Sequence, residues 1–331
     1  MLQRSLITLL LLASLTAAVQ AEWFKDTRGI MGTNIQVELW DTDANHARMC
    51  IKRVMDEMER INQSMSPYIE SSELYQVNLH AAGQPVKISA ELFELIRKSI
   101  KLSEQSHGAF DITFASVGYK YDYRARRKPS EEEIRASLDR IDYHHIVLDE
   151  QARTIRFNKP GVRIDLGGIA KGHAVDKSIR ILRECGIKRA MVSAGGDSRI
   201  IGDRNGRPWM TGIKDPRHKD QSIVVIPLSD TAISTSGDYE RYFEQDGVRY
   251  HHILSPKTGK SVDSTRSVTV LGPDATTTDG LSTTFFVLGP AAGLALVEKL
   301  PDIDAVIIDA DGRIHYSSGL MPPVQKSPAL Q

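Results

Sequence analysis

From residue 44 to residue 65, apolar side chains return at Ala47, Cys50 and Ile51, Val54 and Met55, Met58, Ile61 and Met65. That three-to-four spacing lays them along one face of a long helix, where the methionines serve as core. Leu92, Ile96 and Ile100 predict a second helix over about 89–103. A third starts at Ser130, where Ser130 and Glu133 have the spacing of a capping box, and it carries Ile134, Leu138 and Ile141. Elsewhere the pattern changes to short apolar runs. Residues 145–149 and 154–158 flank Glu150-Gln151-Ala152 and predict a hairpin, and residues 305–309 and 313–317 flank Asp311-Gly312 in the same way. Further strands are expected at 162–166, 190–193, 223–228, 248–253 and 267–271. Helices and hairpins interleave without a regular strand–helix–strand rhythm, so the chain reads as α+β with mixed or antiparallel sheets and packed helices. There is no internal repeat, low-complexity tract or linker. One domain over 22–321 is expected, followed by a flexible tail over 322–331.

The first apolar run is of another kind. Arg4 precedes an almost wholly apolar stretch over 6–18, and Val19-Gln20-Ala21 ends in small residues at the spacing signal peptidase cuts. It predicts a signal peptide over 1–21, a mature chain starting at Glu22, and a soluble periplasmic protein. An uncleaved anchor is the alternative. No cysteine near the cut could take a lipid, and no later run is expected to reach the roughly 18 apolar residues a spanning helix needs.

Composition narrows the field further. With 331 residues, 41% hydrophobic and 25% charged, the chain can bury a core and is neither disordered nor collagen-like. Lys and Arg total 42, and Asp and Glu total 42. No bulk field therefore exists to hold nucleic acid or an anionic membrane, and any polyanion must be held locally. Only Cys50 and Cys185 are present, too few for a disulfide framework and in no metal-ligand pattern. A single bridge is open to them, but two unrelated buried thiols are the expectation.

Four stretches could carry chemistry. In Arg163-Ile164-Asp165-Leu166-Gly167-Gly168-Ile169-Ala170-Lys171-Gly172, a strand gives way to glycines and then to a helix ending near Cys185. The free N–H groups and positive dipole end of such a junction suit a phosphate, although a plain turn has the same lettering. Lys171 either neutralises an anion or is solvated. Ser193-Ala194-Gly195-Gly196-Asp197 is a second glycine cluster, serving close approach or a tight turn. Around Thr276 to Thr284, a helix starting near Asp279 would put Asp279 and Thr283 on one face. They would offer the hard oxygens Mg²⁺ accepts, unless Asp279 is only an N-cap. In Tyr250-His251-His252-Ile253-Leu254-Ser255-Pro256, strand alternation turns the two histidines to opposite faces. One of them could act as a base if it faces a site; a solvated pair is the alternative.

Taken together, these stretches resemble the ApbE-type flavin transferases. The matching pieces are Met31-Gly32-Thr33, Met65-Ser66-Pro67-Tyr68, Gly108-Ala109-Phe110-Asp111-Ile112-Thr113, Asp165 to Gly172, Ser193 to Asp197, Ser234-Thr235-Ser236-Gly237-Asp238, His252-Ile253 through Gly259, and Asp279 to Thr283. The resemblance covers nearly all of the mature chain, with eight pieces in family order. It implies two lobes with FAD bound between them, and Mg²⁺-dependent transfer of FMN from FAD to a Ser or Thr hydroxyl of an exported electron-transfer protein, releasing AMP. An FAD pyrophosphatase or a non-catalytic FAD-binding protein are the alternatives. Met31, Tyr68, Ala109, Phe110, Asp111, Asp165, Lys171 and Ile253 fall where the family contacts FAD. Gly168 through its carbonyl, Asp279 and Thr283 fall where it holds Mg²⁺, and His252 falls on the histidine proposed to assist the target hydroxyl. Ser255 stands where the family usually has Asp, and residues 114–124 are unusually aromatic and basic.

Overall fold

The structure, a computed structural model, describes residues 21–218 and 221–320. The expected tail and all of the expected signal peptide except Ala21 lie outside them.

The chain opens with β1 (Glu22–Ile30) and β2 (Thr33–Asp41), which are joined by Met31 and Gly32 alone. Both have positive φ, +55° and +71°, as a two-residue hairpin turn matched to strand twist requires. Next come α1 (Ala44–Met65), α2 (Glu73–His80), β3 (Val86–Lys87) and α3 (Ala90–Gln105). The stripe read from the sequence is the buried face of α1 residue for residue. Burying each such Ile, Val or Met contributes roughly 1.5–3 kcal/mol, which is why the helix runs for its whole periodic length. After α4 (Ala115–Gly118), α5 (Glu131–Leu138) carries the predicted capping box but ends before Ile141. The hairpin of β4 (Ile146–Asp149) and β5 (Thr154–Phe157) follows as expected.

Residues 162–166 belong to no sheet, contrary to the strand expected there. The Asn78 side chain occupies the ladder position instead: Asn78 Nδ2 donates to Ile164 O at 2.9 Å, and Ile164 N donates to Asn78 Oδ1 at 2.8 Å. This segment feeds α6 (Ala170–Glu184). Then come β6 (Ala190–Ala194), β7 (Asp197–Ile201), β8 (Trp209–Lys214), β9 (Ser222–Leu228), β10 (Ala232–Gly237), β11 (Tyr242–Gln245), β12 (Val248–His251) and β13 (Thr265–Gly272). The chain closes with α7 (Ala275–Val297), β14 (Asp304–Asp309) and β15 (Ile314–Tyr316).

Eight strands form the main sheet in the order β1-β2-β6-β7-β10-β13-β14-β15, and every recorded strand pair is antiparallel. The α+β reading holds. One principal core runs from this sheet through α1, α3, α6 and α7 into the β3-β5-β4 layer, so the two expected lobes share a core. Contrary to the sequence reading, α7 is long and apolar enough to cross a membrane by length and composition. Its first half is nonetheless buried against the sheet, and Gly289 (φ +75°) with Pro290 breaks its path. Contrary also to the expectation of separate thiols, Cys50 and Cys185 form a disulfide. Packing of α1 beside α6 brings their Cα atoms to 6.3 Å, which sequence distance could not reveal.

Candidate active site

Helix α7 begins a turn earlier than expected. Asp274 is its N-cap, accepting from Thr277 N at 2.8 Å, and so Asp279 stands inside the helix and is free for other work. On α6, Asp176 accepts from Ala275 N at 2.9 Å and Thr276 N at 2.8 Å, and it also pairs with Arg199 on β7. The start of α7 is thereby fixed to α6 and the sheet.

Asp279 Oδ2 accepts the Gly172 N–H at 2.9 Å, and Asp279 Oδ1 lies 3.4 Å from Lys171 Nζ. Lys171 Nζ is only 2.5 Å from Asp197 Oδ2, at the start of β7. Asp279 and Asp197 are 2% and 1% exposed. Two buried carboxylates thus share one ammonium. Burial and the neighbouring Asp197 charge push the Asp279 carboxyl up to about 7, against the pull of Lys171. Burial works against the Lys171 charge, but Asp197 and Asp279 together hold its pKa above the usual lysine value.

One turn on, Thr283 shares the face of Asp279. A Cβ at Gly168 would lie 3.2 Å from Thr283 Oγ1 and 3.3 Å from the Phe110 ring, so this backbone stands close against both. Ser236 on β10 holds the same hydroxyl from the other side at 3.3 Å. The expected metal donors, Gly168, Asp279 and Thr283, are thus gathered around the α6–α7 junction. All are hard oxygens with no sulfur or imidazole among them, and when Asp197 and Asp279 are both ionised they exceed the Lys171 charge between them by one. A divalent cation of the Mg²⁺ type fits that donor set.

The expected phosphate cradle at the start of α6 is different from its sequence reading. Ile169 N and Ala170 N donate to Leu166 O at 2.9 and 2.8 Å, Gly172 N is taken by Asp279, and Gly167 N by Asp165 Oδ1 at 2.6 Å. The protein itself satisfies these donors, because the loop folds back before the helix.

The proposed flavin contacts divide into two groups. Tyr68 is 80% exposed. Partial burial and the Asp165 charge raise its phenol pKa, while Arg241 and Arg124 pull the other way. Burial likewise raises the Asp165 carboxyl against Gly167 N–H, Arg241 and Lys171. A Cβ at Gly32 would meet Arg241 Nη2 at 3.8 Å, which brings the Met31-Gly32 turn to the same place. Ala109, Phe110 and Ile253 are buried walls at 6%, 3% and 5% exposure. Asp111 is occupied structurally: Oδ1 accepts from Thr113 N and Oγ1, and Oδ2 accepts from Tyr143 N at 2.8 Å.

The two histidines face apart, as alternation requires. His251 is buried, with Nε2 donating to Val262 O at 2.7 Å. His252 lies just past β12, half-buried, with Nδ1 3.3 Å from Arg241 O. Burial, Arg241 and, more weakly, Lys171 bring its pKa down to about 3, so it is neutral at physiological pH. With Nδ1–H on the carbonyl, Nε2 keeps a lone pair. At Ser255 the turn is closed by backbone, with Ser255 N donating to Lys260 O at 2.8 Å. Asp197, Arg241 and Ser236 were given no site role from the sequence. Asp197 lay inside a quoted glycine cluster, where an acid at the head of a buried strand was the available signal.

The model of the ApbE family matches residues 31–307. An FAD:protein FMN transferase of Vibrio cholerae is 35% identical over 275 residues, covering 80% of this chain and 81% of its own length. Among solved structures, the ApbE protein of Thermotoga maritima superposes with a TM-score of 0.84 at 36% identity, over 90% of this chain and 98% of its own. The flavin transferase ApbE of Vibrio cholerae gives 0.80 at 31%, with the same coverage. A chain with this fold and these relatives is an enzyme, a transferase. It belongs to the ApbE family of flavin transferases.

Proposed function

We propose that this protein moves FMN from FAD onto a Ser or Thr hydroxyl of an exported electron-transfer protein, with Mg²⁺ bound and AMP leaving, and that it works in the periplasm after losing residues 1–21. What supports this reading is the grouping of Lys171, Asp197 and Asp279 with Thr283 and the Gly168 backbone, together with His252 Nδ1 on the Arg241 carbonyl and the Met31-Gly32 turn beside the Arg241 guanidinium.

Asp279, Thr283 and the Gly168 carbonyl would hold Mg²⁺, which supplies neutralisation of diphosphate charge during transfer. The residues of this chain do the rest. Tyr68, exposed and flat, offers its face to the isoalloxazine, with Met31 and the Ala109-Phe110 wall as apolar neighbours. Arg241 makes no ion pair among the described residues, so its charge is available to an anionic substrate. Neutral His252 can take the proton of the incoming hydroxyl at Nε2 while Nδ1–H stays on the Arg241 carbonyl. Tyr119, 52% exposed, with Arg163 stacked on it, extends the aromatic and basic surface of residues 114–124 towards a protein target.

The test is incubation of the purified protein with FAD, Mg²⁺ and a candidate electron-transfer subunit bearing a Ser or Thr acceptor. Mass spectrometry should find FMN added to the acceptor, and none with Asp279→Asn. Release of free FMN with an unmodified acceptor would make the protein a pyrophosphatase instead. Unchanged FAD would remove both activities.

A further inference from the structure

The Cys50–Cys185 bridge has neighbours that a plain staple does not need. His46 precedes Cys50 by one turn of α1, and its Nε2 lies 3.6 Å from Cys50 Sγ. Its Nδ1 is 2.6 Å from Asp41 Oδ2 at the end of β2, so the carboxylate orients the ring and turns Nε2 to the sulfur. On the other side Arg53 Nη1 donates to Cys185 Sγ at 3.4 Å, while Nη2 reaches Glu184 at 3.3 Å. Cys50 is fully buried and Cys185 half-buried. A cavity of about 690 Å³ is lined by Asp41 and His46 and by Gly186, the residue after Cys185. None of these residues belongs to the flavin site.

We infer that Cys50–Cys185 is a thiol–disulfide exchange site, with Asp41 and His46 as its acid–base relay and a dithiol reductant as its substrate. A thiolate of the dithiol attacks the sulfur of Cys185, the less buried of the two cysteines, forming a mixed disulfide as the Cys50–Cys185 bond breaks. The electron pair leaves on Cys50 Sγ, which His46 Nε2 faces at 3.6 Å with the Asp41 carboxylate behind the ring, so that a proton relayed through the imidazole reaches the leaving sulfur. The second thiolate of the dithiol then attacks its own partner sulfur, closing a cyclic disulfide and releasing Cys185 as a thiolate beside Arg53. The dithiol loses two electrons and two protons, the bridge gains two electrons, and the protons pass to the two cysteines or to solvent. Other charges around the bridge are Glu184 next to Cys185 and, across the cavity, Lys188, Asp230 and the Arg189–Asp203 pair.

Reduction of the full chain by dithiothreitol at neutral pH, followed by alkylation and mass measurement, tests the assignment. The folded wild type should be reduced, and His46→Gln should slow that reduction about tenfold or more. In the reduced protein the ultraviolet thiolate absorbance of Cys50 should titrate at higher pH in His46→Gln than in wild type. Asp41→Asn should shift it the same way by less, and it carries the test should His46→Gln fail to fold. A folded wild type that resists dithiothreitol, or variants with wild-type rate and titration, would overturn the proposal and leave the bridge a staple.

Discussion

Gly172 and Asp279 lock α6 to α7 at the site: the Gly172 amide donates to Asp279 Oδ2 at 2.9 Å, and a Cβ on Gly172 would fall 2.1 Å from Ala275 O and 2.8 Å from Asp279 Cβ. No side chain fits there without parting the helices. Gly172→Ala should therefore lose about 1–3 kcal/mol of stability by overpacking, and its Mg²⁺ affinity should fall with it because Asp279 is displaced. Gly29→Ala, with nothing within 4 Å of the new methyl, is the control and should stay within a few tenths of a kcal/mol. Urea unfolding of the two variants separates them, and equal midpoints would mean that the helices are not held at this spacing.

Among the described residues, Lys171 is the sole ammonium paired with two carboxylates that are almost wholly buried. Removing one partner from such a group leaves uncompensated charge, which costs about 3–5 kcal/mol. Lys171→Met should unfold earlier in urea without metal and regain part of the difference when Mg²⁺ is added, since a cation then replaces the ammonium. The sequence alone suggests a lysine that positions FAD; the geometry makes its main effect structural. If Mg²⁺ shifts the variant no more than the wild type, the carboxylate pair does not face the metal.

The residues legible in the sequence were those whose signal is periodic or local. The α1 stripe, the Ser130–Glu133 box and the two predicted hairpins depend on spacings of a few residues, and all appear where expected. The strand at 162–166 was lost because Asn78, far away in sequence, supplies the hydrogen bonds a neighbouring strand would have made. The phosphate cradle at α6 was misread for the same kind of reason: Asp279, 107 residues on, takes the Gly172 amide. Strand β1 mixes charged and aromatic residues without a clean alternation, and its pairing with β2 makes it a strand; β2 does alternate, at Ile35, Val37 and Leu39, and that signal was passed over. The Cys50–Cys185 bridge depends on helix packing that no spacing encodes.

His252 yields a pH prediction. Folded, its pKa is about 3 through burial, Arg241 and Lys171; unfolded, it is about 6.5. The unfolded chain takes up the extra proton between those values. The stability tied to this residue is therefore whole above pH 6.5 and declines as pH falls towards 3. Because kcat/KM reports groups on the free enzyme, its profile should show no histidine inflection near pH 6.5. His252→Gln should lower kcat at every pH without introducing or removing one. An inflection near 6.5 that vanishes in the variant would mean that the imidazole is exposed and charges normally.

Tyr68 separates binding from folding. At 80% exposure its ring adds little to the core, and its only hydrogen bond among the described residues is from the backbone N–H to Ser66 Oγ at 3.3 Å. A large aromatic left in the open beside Asp165 and Arg241 is of use when a flat ligand covers it. Tyr68→Ala should leave thermal unfolding of the free protein where it is. Loss of the aromatic face should weaken FAD by roughly 0.5–1.5 kcal/mol, about two- to tenfold in Kd, and Tyr68→Phe should restore most of it, because the ring rather than the hydroxyl makes the contact. Isothermal titration with FAD in the presence of Mg²⁺ reads this directly. A Tyr68→Ala variant that binds FAD as wild type does would move the isoalloxazine off this residue.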